Sequence, residues 1–215
     1  MAPLPAHSVP PYEAFASAHG YDLTVTSIDD AAADDEAIRR RVRWRKVDLL
    51  ADALESYDVV VWIDADAMFC RFDRDMADDV PVDRFQGLSL EVFPTRVNPN
   101  TGVWLLRRDP VAFAFLDAVR STGQPLHSWS DQAAVCVALG WHLGDYHGHG
   151  ARPERPSRFG PGTAWLAPTW NDVSGRCVAP RVKHFAGLPL QERARRMAAE
   201  RRRLREEDEG RSRRW

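Results

Sequence analysis

The sequence predicts a single α/β domain, with helices packed against a central sheet. Three observations predict it. The run Val59-Val60-Val61-Trp62-Ile63 is apolar and ends in Asp64 and Asp66, the pattern of a central strand covered on both faces that delivers acids at its carboxyl end. Segments of strand and helix character alternate along the chain, as in layered α/β domains. Residues 36–57 carry a stripe of Ile38, Val42, Leu49, Ala53 and Tyr57 at three- and four-residue spacing, which is the signature of a helix with one buried face.

Each element has its own local reason. Residues 1–11 are rich in Pro and small side chains and read as irregular. A short helix over 11–19 follows, with Pro11 in its first turn and Gly20 at its end. Residues 21–27 alternate apolar and polar, as a half-buried strand does. An Asp- and Ala-rich loop over 29–35 leads into the long helix. After the apolar strand, 71–84 is a charged connection. Further strands are expected at 88–92 and 103–106, separated by the turn-rich 94–102. Asp109 and Pro110 open a helix to about Arg120, as cap and first helical residue. Ser130 is a suitable cap for a helix over 131–139, ended by Gly140. Residues 141–168 are dense in Gly, Pro, Arg and His and read as a long functional loop. A last short strand at 181–185 and a helix at 190–205 precede a charged tail.

Composition sets limits on partners and location. The 215 residues suit one domain plus a tail. A net charge of −2, from 29 basic and 31 acidic residues, gives no support to a nucleic-acid partner. Cys70, Cys136 and Cys177 are odd in number and far apart, so they read as reduced thiols rather than a disulfide or zinc framework. No secretory signal or bilayer-length apolar run is evident, and the expectation is a cytoplasmic protein without a transmembrane segment.

The chemistry concentrates after the apolar strand. On a continuing strand, Asp64 and Asp66 point the same way while Ala65 points away. Two ionised carboxylates side by side repel unless a cation lies between them, and Mg²⁺ or Mn²⁺ commonly takes one or two carboxylates together with substrate phosphate oxygens. The same residues are also ordinary at a polar turn. Lys46 falls inside the apolar stripe of the long helix, where it needs an anion or must reach along its stem to water. His147 and His149 form a pair in the Gly-rich loop that lacks further ligands at metal-site spacing.

Read together, Trp44-Arg45-Lys46, Trp62-Ile63-Asp64-Ala65-Asp66-Ala67, Asn100-Thr101-Gly102-Val103-Trp104-Leu105-Leu106-Arg107, Ser130-Asp131-Gln132, Trp170-Asn171 and His184-Phe185-Ala186-Gly187 resemble, in that order, the metal-dependent sugar-nucleotide glycosyltransferases of the GT-A fold. Within that class the likeness is greatest to the fungal and plant galactosyl-, mannosyl- and xylosyltransferases. It covers about residues 11–188, with 11–190 as the glycosyltransferase-like domain and 191–215 as a charged C-terminal helix or tail.

The resemblance implies a single α/β/α sandwich with a mixed central sheet. It implies transfer of a hexose or pentose, generally with retention, from a nucleotide-diphosphate donor to the hydroxyl of a glycan or small-molecule acceptor. Asp64, Asp66 and His184 would bind Mn²⁺ or Mg²⁺, the imidazole favouring Mn²⁺. Lys46 would meet the diphosphate or a carboxylate. Asn100, Gly102 and Gly187 would line the donor site, and Asp131 and Gln132 would face the donor sugar or the acceptor hydroxyl. The same residues have plainer uses: Asn and Gly form turns, an acid at a helix start complements the macrodipole, and a lone His packs. GT-A domains begin with a strand that holds the nucleotide base, and that leading strand is expected to be missing here. Two other readings stay open: a phosphatase of the haloacid dehalogenase type, with Asp64 as nucleophile, and a non-catalytic relic of the glycosyltransferase fold acting as a binding module.

Overall fold

The computed structural model of the protein describes residues 5–26, 36–93, 96–123, 127–145, 147–173 and 175–212. The first helix, α1 (Pro5–His19), begins earlier than expected and carries Pro10 and Pro11 inside it. Pro10 has no N–H for the carbonyl of Ala6 four residues back. The Arg201 guanidinium donates to that carbonyl instead, which is how the helix accommodates the proline.

The strand expected at 21–27 is not formed over residues 21–26. Its alternation is real, but Leu23 and Val25 are exposed and the segment joins no ladder among the described residues. Ser27 and the 29–35 loop lie outside the described residues.

The long helix, α2 (Glu36–Ser56), matches its expected span. Its buried face is made of Lys46, Val47, Leu50, Ala51 and Leu54, whereas Tyr57 is exposed. Residues 47–54 offer two overlapping apolar stripes, and the one that meets the neighbouring helices is displaced by about a residue from the one the spacing suggested. The side chains of Ile38 and Val42 lie outside the described set.

Four strands form the main sheet in the order β1, β4, β3, β7: β1 (Val59–Ile63), β3 (Gln86–Phe93), β4 (Arg96–Arg107) and β7 (Thr163–Leu166). The pairs β1·β4 and β3·β4 are antiparallel and β3·β7 is parallel, so the sheet is mixed. Among the described residues β1 pairs only with β4 and is therefore an edge strand, not the central one. Its residues are half-buried, with Val60 and Trp62 packed on one core and Val59, Val61 and Ile63 on the other, and a continuous apolar run reports apolar contact on both faces rather than ladder position.

The interior strands are β4 and β3, and β4 feeds both cores. Trp104 and Leu106 point into one core with Val47, Leu50, Leu54 and Phe115. Val103 and Leu105 point into the other with Phe15, Phe69, Trp170 and Val182. Helices α2, α3 (Pro110–Ser121) and α4 (Asp131–Ala138) cover the first face. The second is covered by α1 and a two-stranded sheet of β2 (Ala67–Phe69) and β8 (Val182–His184). Phe15 stacks on Phe69 with ring centroids 3.9 Å apart.

Much of the turn-rich 94–102 segment is strand, because β4 begins at Arg96. The register slips between Leu88, opposite Trp104, and Ser89, opposite Asn100, so residues 101–103 bulge out of the β3·β4 ladder, while Val103 stays paired with Ile63 of β1. The 141–168 segment holds two short strands, β5 (Trp141–His142) and β6 (Arg152–Pro153), as well as β7. Asp109 caps α3 as expected, accepting from the Val111 N–H at 2.7 Å. Ser130 stands at the start of α4 with φ 52° and makes no side-chain cap hydrogen bond. The last helix, α5 (Leu190–Ser212), extends through most of the expected tail and packs on the body through Ala194 and Met197.

Candidate active site

β1 stops at Ile63, and the chain turns at once. The Ala67 N–H donates to the Asp64 carbonyl at 2.8 Å, and the Tyr12 hydroxyl bonds the carbonyls of both Asp64 and Ala67 at 2.8 Å. Asp64 and Asp66 are thus gathered by a turn rather than by strand alternation. The turn leads into β2, whose ladder with β8 sets Ala67 opposite His184. That register brings the imidazole to the carboxylates: Asp64, Asp66 and His184 each offer a ligand atom, all within 4.8 Å of one another, and they are the one such group among the described residues.

The hydrogen bonds around His184 fix what its ring presents. The Asn100 side-chain oxygen accepts from the Gly102 N–H at 2.8 Å and from the Asn171 amide at 2.7 Å. The oxygen of Asn171 therefore faces His184 Nδ1, at 2.9 Å, and Nδ1 must donate. Nε2 faces Asp66 Oδ1 at 3.2 Å, donating to it when the ring is protonated and presenting a lone pair when the ring is neutral. Two acceptors that face each other call for a proton or a cation between them, and a metal-ligating His characteristically donates its other ring nitrogen to an oriented acceptor. The donor set of two carboxylates and one imidazole fits a divalent ion of the Mn²⁺ type.

Gly102 is needed for this arrangement. A Cβ there would stand 2.0 Å from His184 Cε1, so only glycine lets the ring lie against the β4 bulge.

Lys46 found an anion. Its ammonium, on a side chain only 7% exposed, lies 2.9 Å from Asp64 Oδ1 and 3.0 Å from Asp131 Oδ2. Burial alone would lower the Lys46 pKa, but the charges and hydrogen bonds of Asp131 and Asp64 outweigh it and hold the pKa above its ordinary value. Thr101, on the bulge, donates to Asp131 Oδ2 at 3.0 Å and offers its carbonyl to Lys46 at 3.3 Å. Asp131 is thereby joined to the metal-type cluster through Lys46. Gln132, half-buried beside it, has no side-chain hydrogen bond to this network among the described residues. Gly187 stands open at φ 71° in the turn before α5. His149 bonds Asp145 at 2.9 Å on the exposed loop, apart from this cluster.

Three participants had no sequence role. Trp62 Nε1 donates to Asp64 Oδ1 at 2.6 Å; a Trp at the end of a buried strand needs such an acceptor, which was the available signal. Asn171, like Trp62, stands within a motif of the resemblance with no role of its own. Arg193, on the first turn of α5, lies 3.1 Å from Asp66 Oδ2. A cation at a helix start opposes the macrodipole, and that was its only mark. Burial would raise the Asp66 carboxyl pKa, but the hydrogen bond and charge of a protonated His184, together with the Arg193 charge, prevail and keep it below the usual carboxylate range.

No protein-family model and no curated protein sequence matches the chain. Among solved structures, a glycosyltransferase involved in glycosylation of the major capsid of PBCV-1 aligns with a TM-score of 0.64 at 14% identity, covering 91% of this chain and 92% of that one. The galactosyltransferase LgtC, solved with donor and acceptor sugar analogs, aligns with a TM-score of 0.42 at 16% identity over 88% of this chain and 71% of its own. The glycosyltransferase GlyE of Streptococcus pneumoniae aligns with a TM-score of 0.45 at 12% identity, over 97% and 54% respectively. At such identities it is architecture that is shared: the chain has a GT-A-like α/β fold.

Proposed function

We propose that the protein is a metal-dependent glycosyltransferase that moves a hexose or pentose from a nucleotide-diphosphate donor to the hydroxyl of a glycan or small molecule, with retention. The observation that carries this is the convergence of one ligand atom each of Asp64, Asp66 and His184 within 4.8 Å on a GT-A-like fold. The motif order keeps the fungal and plant galactosyl-, mannosyl- and xylosyltransferases as the nearest likeness. Among the described residues no helix is long and apolar enough to cross a membrane; a cytoplasmic site of action is part of the proposal.

Asp64, Asp66 and His184 would hold the ion, with Mn²⁺ favoured over Mg²⁺ by the imidazole. Such an ion would offset the charge that develops on the departing nucleoside diphosphate. The chain's own residues prepare the site. Lys46 ties Asp64 to Asp131, holding both in fixed positions before substrate arrives, which removes reorganisation from the reaction step. Asn100 and Gly102 set the ring of His184 through Asn171 and through the space a side chain would fill. Asp131 and Gln132, at the start of α4, are proposed nearest the donor sugar and acceptor hydroxyl, and Gly187 at the open turn after β8 beside the donor.

The phosphatase reading needs Asp64 free as a nucleophile on a central parallel strand. Its Oδ1 is held by Trp62 and Lys46 instead, in the turn after an antiparallel strand that is an edge strand among the described residues, and that reading is dropped. Calorimetric titration with UDP- and GDP-sugars in Mn²⁺ tests the transferase against the relic: a folded protein that binds none of them is a relic. Replacement of both Asp64 and Asp66 by Ala is expected to abolish donor hydrolysis and transfer with the fold intact, and undiminished turnover would falsify the assignment.

A further inference from the structure

Each acid of the metal-type cluster has one oxygen already taken by a protein donor. Asp64 Oδ1 accepts from Trp62 Nε1 at 2.6 Å and from the Lys46 ammonium at 2.9 Å. Asp66 Oδ2 faces the Arg193 guanidinium at 3.1 Å. What is left for an ion is Asp64 Oδ2, Asp66 Oδ1 and His184 Nε2. Arg193 is held in place for this task. Its other terminal nitrogen donates to the Leu188 carbonyl at 3.0 Å, and Ala194 and Met197 of the same helix are buried at 2% and 0% exposure.

Three single-atom donors, one of them nitrogen, suit some cations better than others. Mg²⁺ and Mn²⁺ take six ligands and readily complete their shell with water or phosphate, whereas Ca²⁺ takes six to eight oxygens and often binds a carboxylate through both. A carboxylate oxygen already engaged by an arginine or lysine has part of its charge and lone-pair capacity spent on that partner, so it is a poorer second donor to an ion. The same cations leave the site little net negative charge, three carboxylates standing against Lys46 and Arg193, so a large ion gains no compensating attraction.

We propose that Arg193, with Lys46 and Trp62, confines Asp66 and Asp64 to one coordinating oxygen each and so selects a small octahedral divalent cation over Ca²⁺. The proposal rests on the metal-site reading above. It makes the C-terminal helix, beyond the span of the motif likeness, a specificity-determining part of the site.

The test is binding, without donor or acceptor. Mn²⁺ affinity is measured by electron paramagnetic resonance titration, and Ca²⁺ and Mg²⁺ by displacement of Mn²⁺, in the wild type, Arg193→Met, Arg193→Lys and Asp66→Asn, with folding followed by circular dichroism. The wild type is expected to prefer Mn²⁺ to Ca²⁺ strongly. In Arg193→Met both ions bind more tightly because a positive charge is gone, but the preference for Mn²⁺ falls by about 10-fold, the scale of effect when a group orienting a metal ligand is lost. Arg193→Lys, which keeps the charge without the planar fork, is expected to show part of that fall. A Mn²⁺ to Ca²⁺ ratio unchanged in whichever of the two variants folds overturns the proposal. Asp66→Asn separates the two failures: if it leaves Mn²⁺ binding intact, the metal site itself is wrong, and if it removes binding while the ratio stays fixed in the arginine variants, only the selection is wrong.

Discussion

His184 lies across the β2–β8 ladder from Ala67, the residue that follows Asp66. This one register couples a segment near the end of the chain to the acids that follow β1. It also explains why the ring contributes Nε2: Nδ1 is spent on Asn171 at 2.9 Å. His184→Ala is expected to lower Mn²⁺ affinity by about 10- to 100-fold, and Asn171→Ala by about 10-fold through loss of the tautomer and ring orientation. Titration of Mn²⁺ into each variant checks both, and an Asn171→Ala protein with wild-type affinity would detach Asn171 from the site.

Gly102 gives a second, independent handle on the same ring. An alanine Cβ would overlap His184 Cε1 at 2.0 Å, and overpacking of a well-filled region costs about 1–3 kcal/mol. The imidazole is the side chain that must yield. Gly102→Ala is therefore expected to fold, with a modestly lower melting temperature, and to bind Mn²⁺ as poorly as His184→Ala does. Full metal affinity in a folded Gly102→Ala protein would show that the ring has another way to seat.

The ion-paired triad of Lys46, Asp64 and Asp131, in which Lys46 and Asp131 are buried, predicts a stability effect. Lys46→Met keeps most of the stem but leaves the Asp131 carboxylate, 7% exposed, without its cation. Breaking a buried pair from one side costs about 3–5 kcal/mol. The double variant Lys46→Met with Asp131→Asn removes the stranded charge and is expected to recover more than half of the loss. Urea unfolding of the two single variants and the double measures this coupling, and additive losses would mean that the pair does not act as a unit.

The sequence reveals these parts unevenly, for physical reasons. Asp64 and Asp66 stand out because acids seldom end so apolar a run, and Lys46 because a cation inside an apolar stripe demands a partner. The helix spans α2 and α3 are legible from their stripe and cap. The edge position of β1 is not, because apolarity records burial of faces and is silent on which ladder a strand joins. Nor is the strand character of 96–102, whose Pro, Asn and Gly residues suit a turn equally well until the bulge opposite Leu88 and Ser89 is seen. Arg193 and Trp62 act through contacts made only after folding. Their residue types hint at a need for partners but cannot name Asp66 or Asp64.

Helix α5 predicts a response to acid. Glu200, 9% exposed, accepts from Lys183 at 2.7 Å and from Arg203 at 2.5 Å, tying α5 to β8 beside His184. Burial would raise its carboxyl pKa, but the hydrogen bonds and charges of Arg203 and Lys183 prevail and hold it below the ordinary value. A depressed folded-state pKa contributes stability that is fully present above the unfolded value of about 4.3 and is lost as pH falls through the folded one. Glu200→Gln is therefore expected to be less stable than wild type at pH 7 by about 1–3 kcal/mol, the range for leaving a partly buried charged partner unsatisfied. The gap should narrow steadily below pH 4, as the wild-type carboxyl takes up its own proton. Urea unfolding of both proteins between pH 7 and pH 3 reads this convergence, and a gap that stays constant across the range would exclude Glu200 as a source of the acid sensitivity.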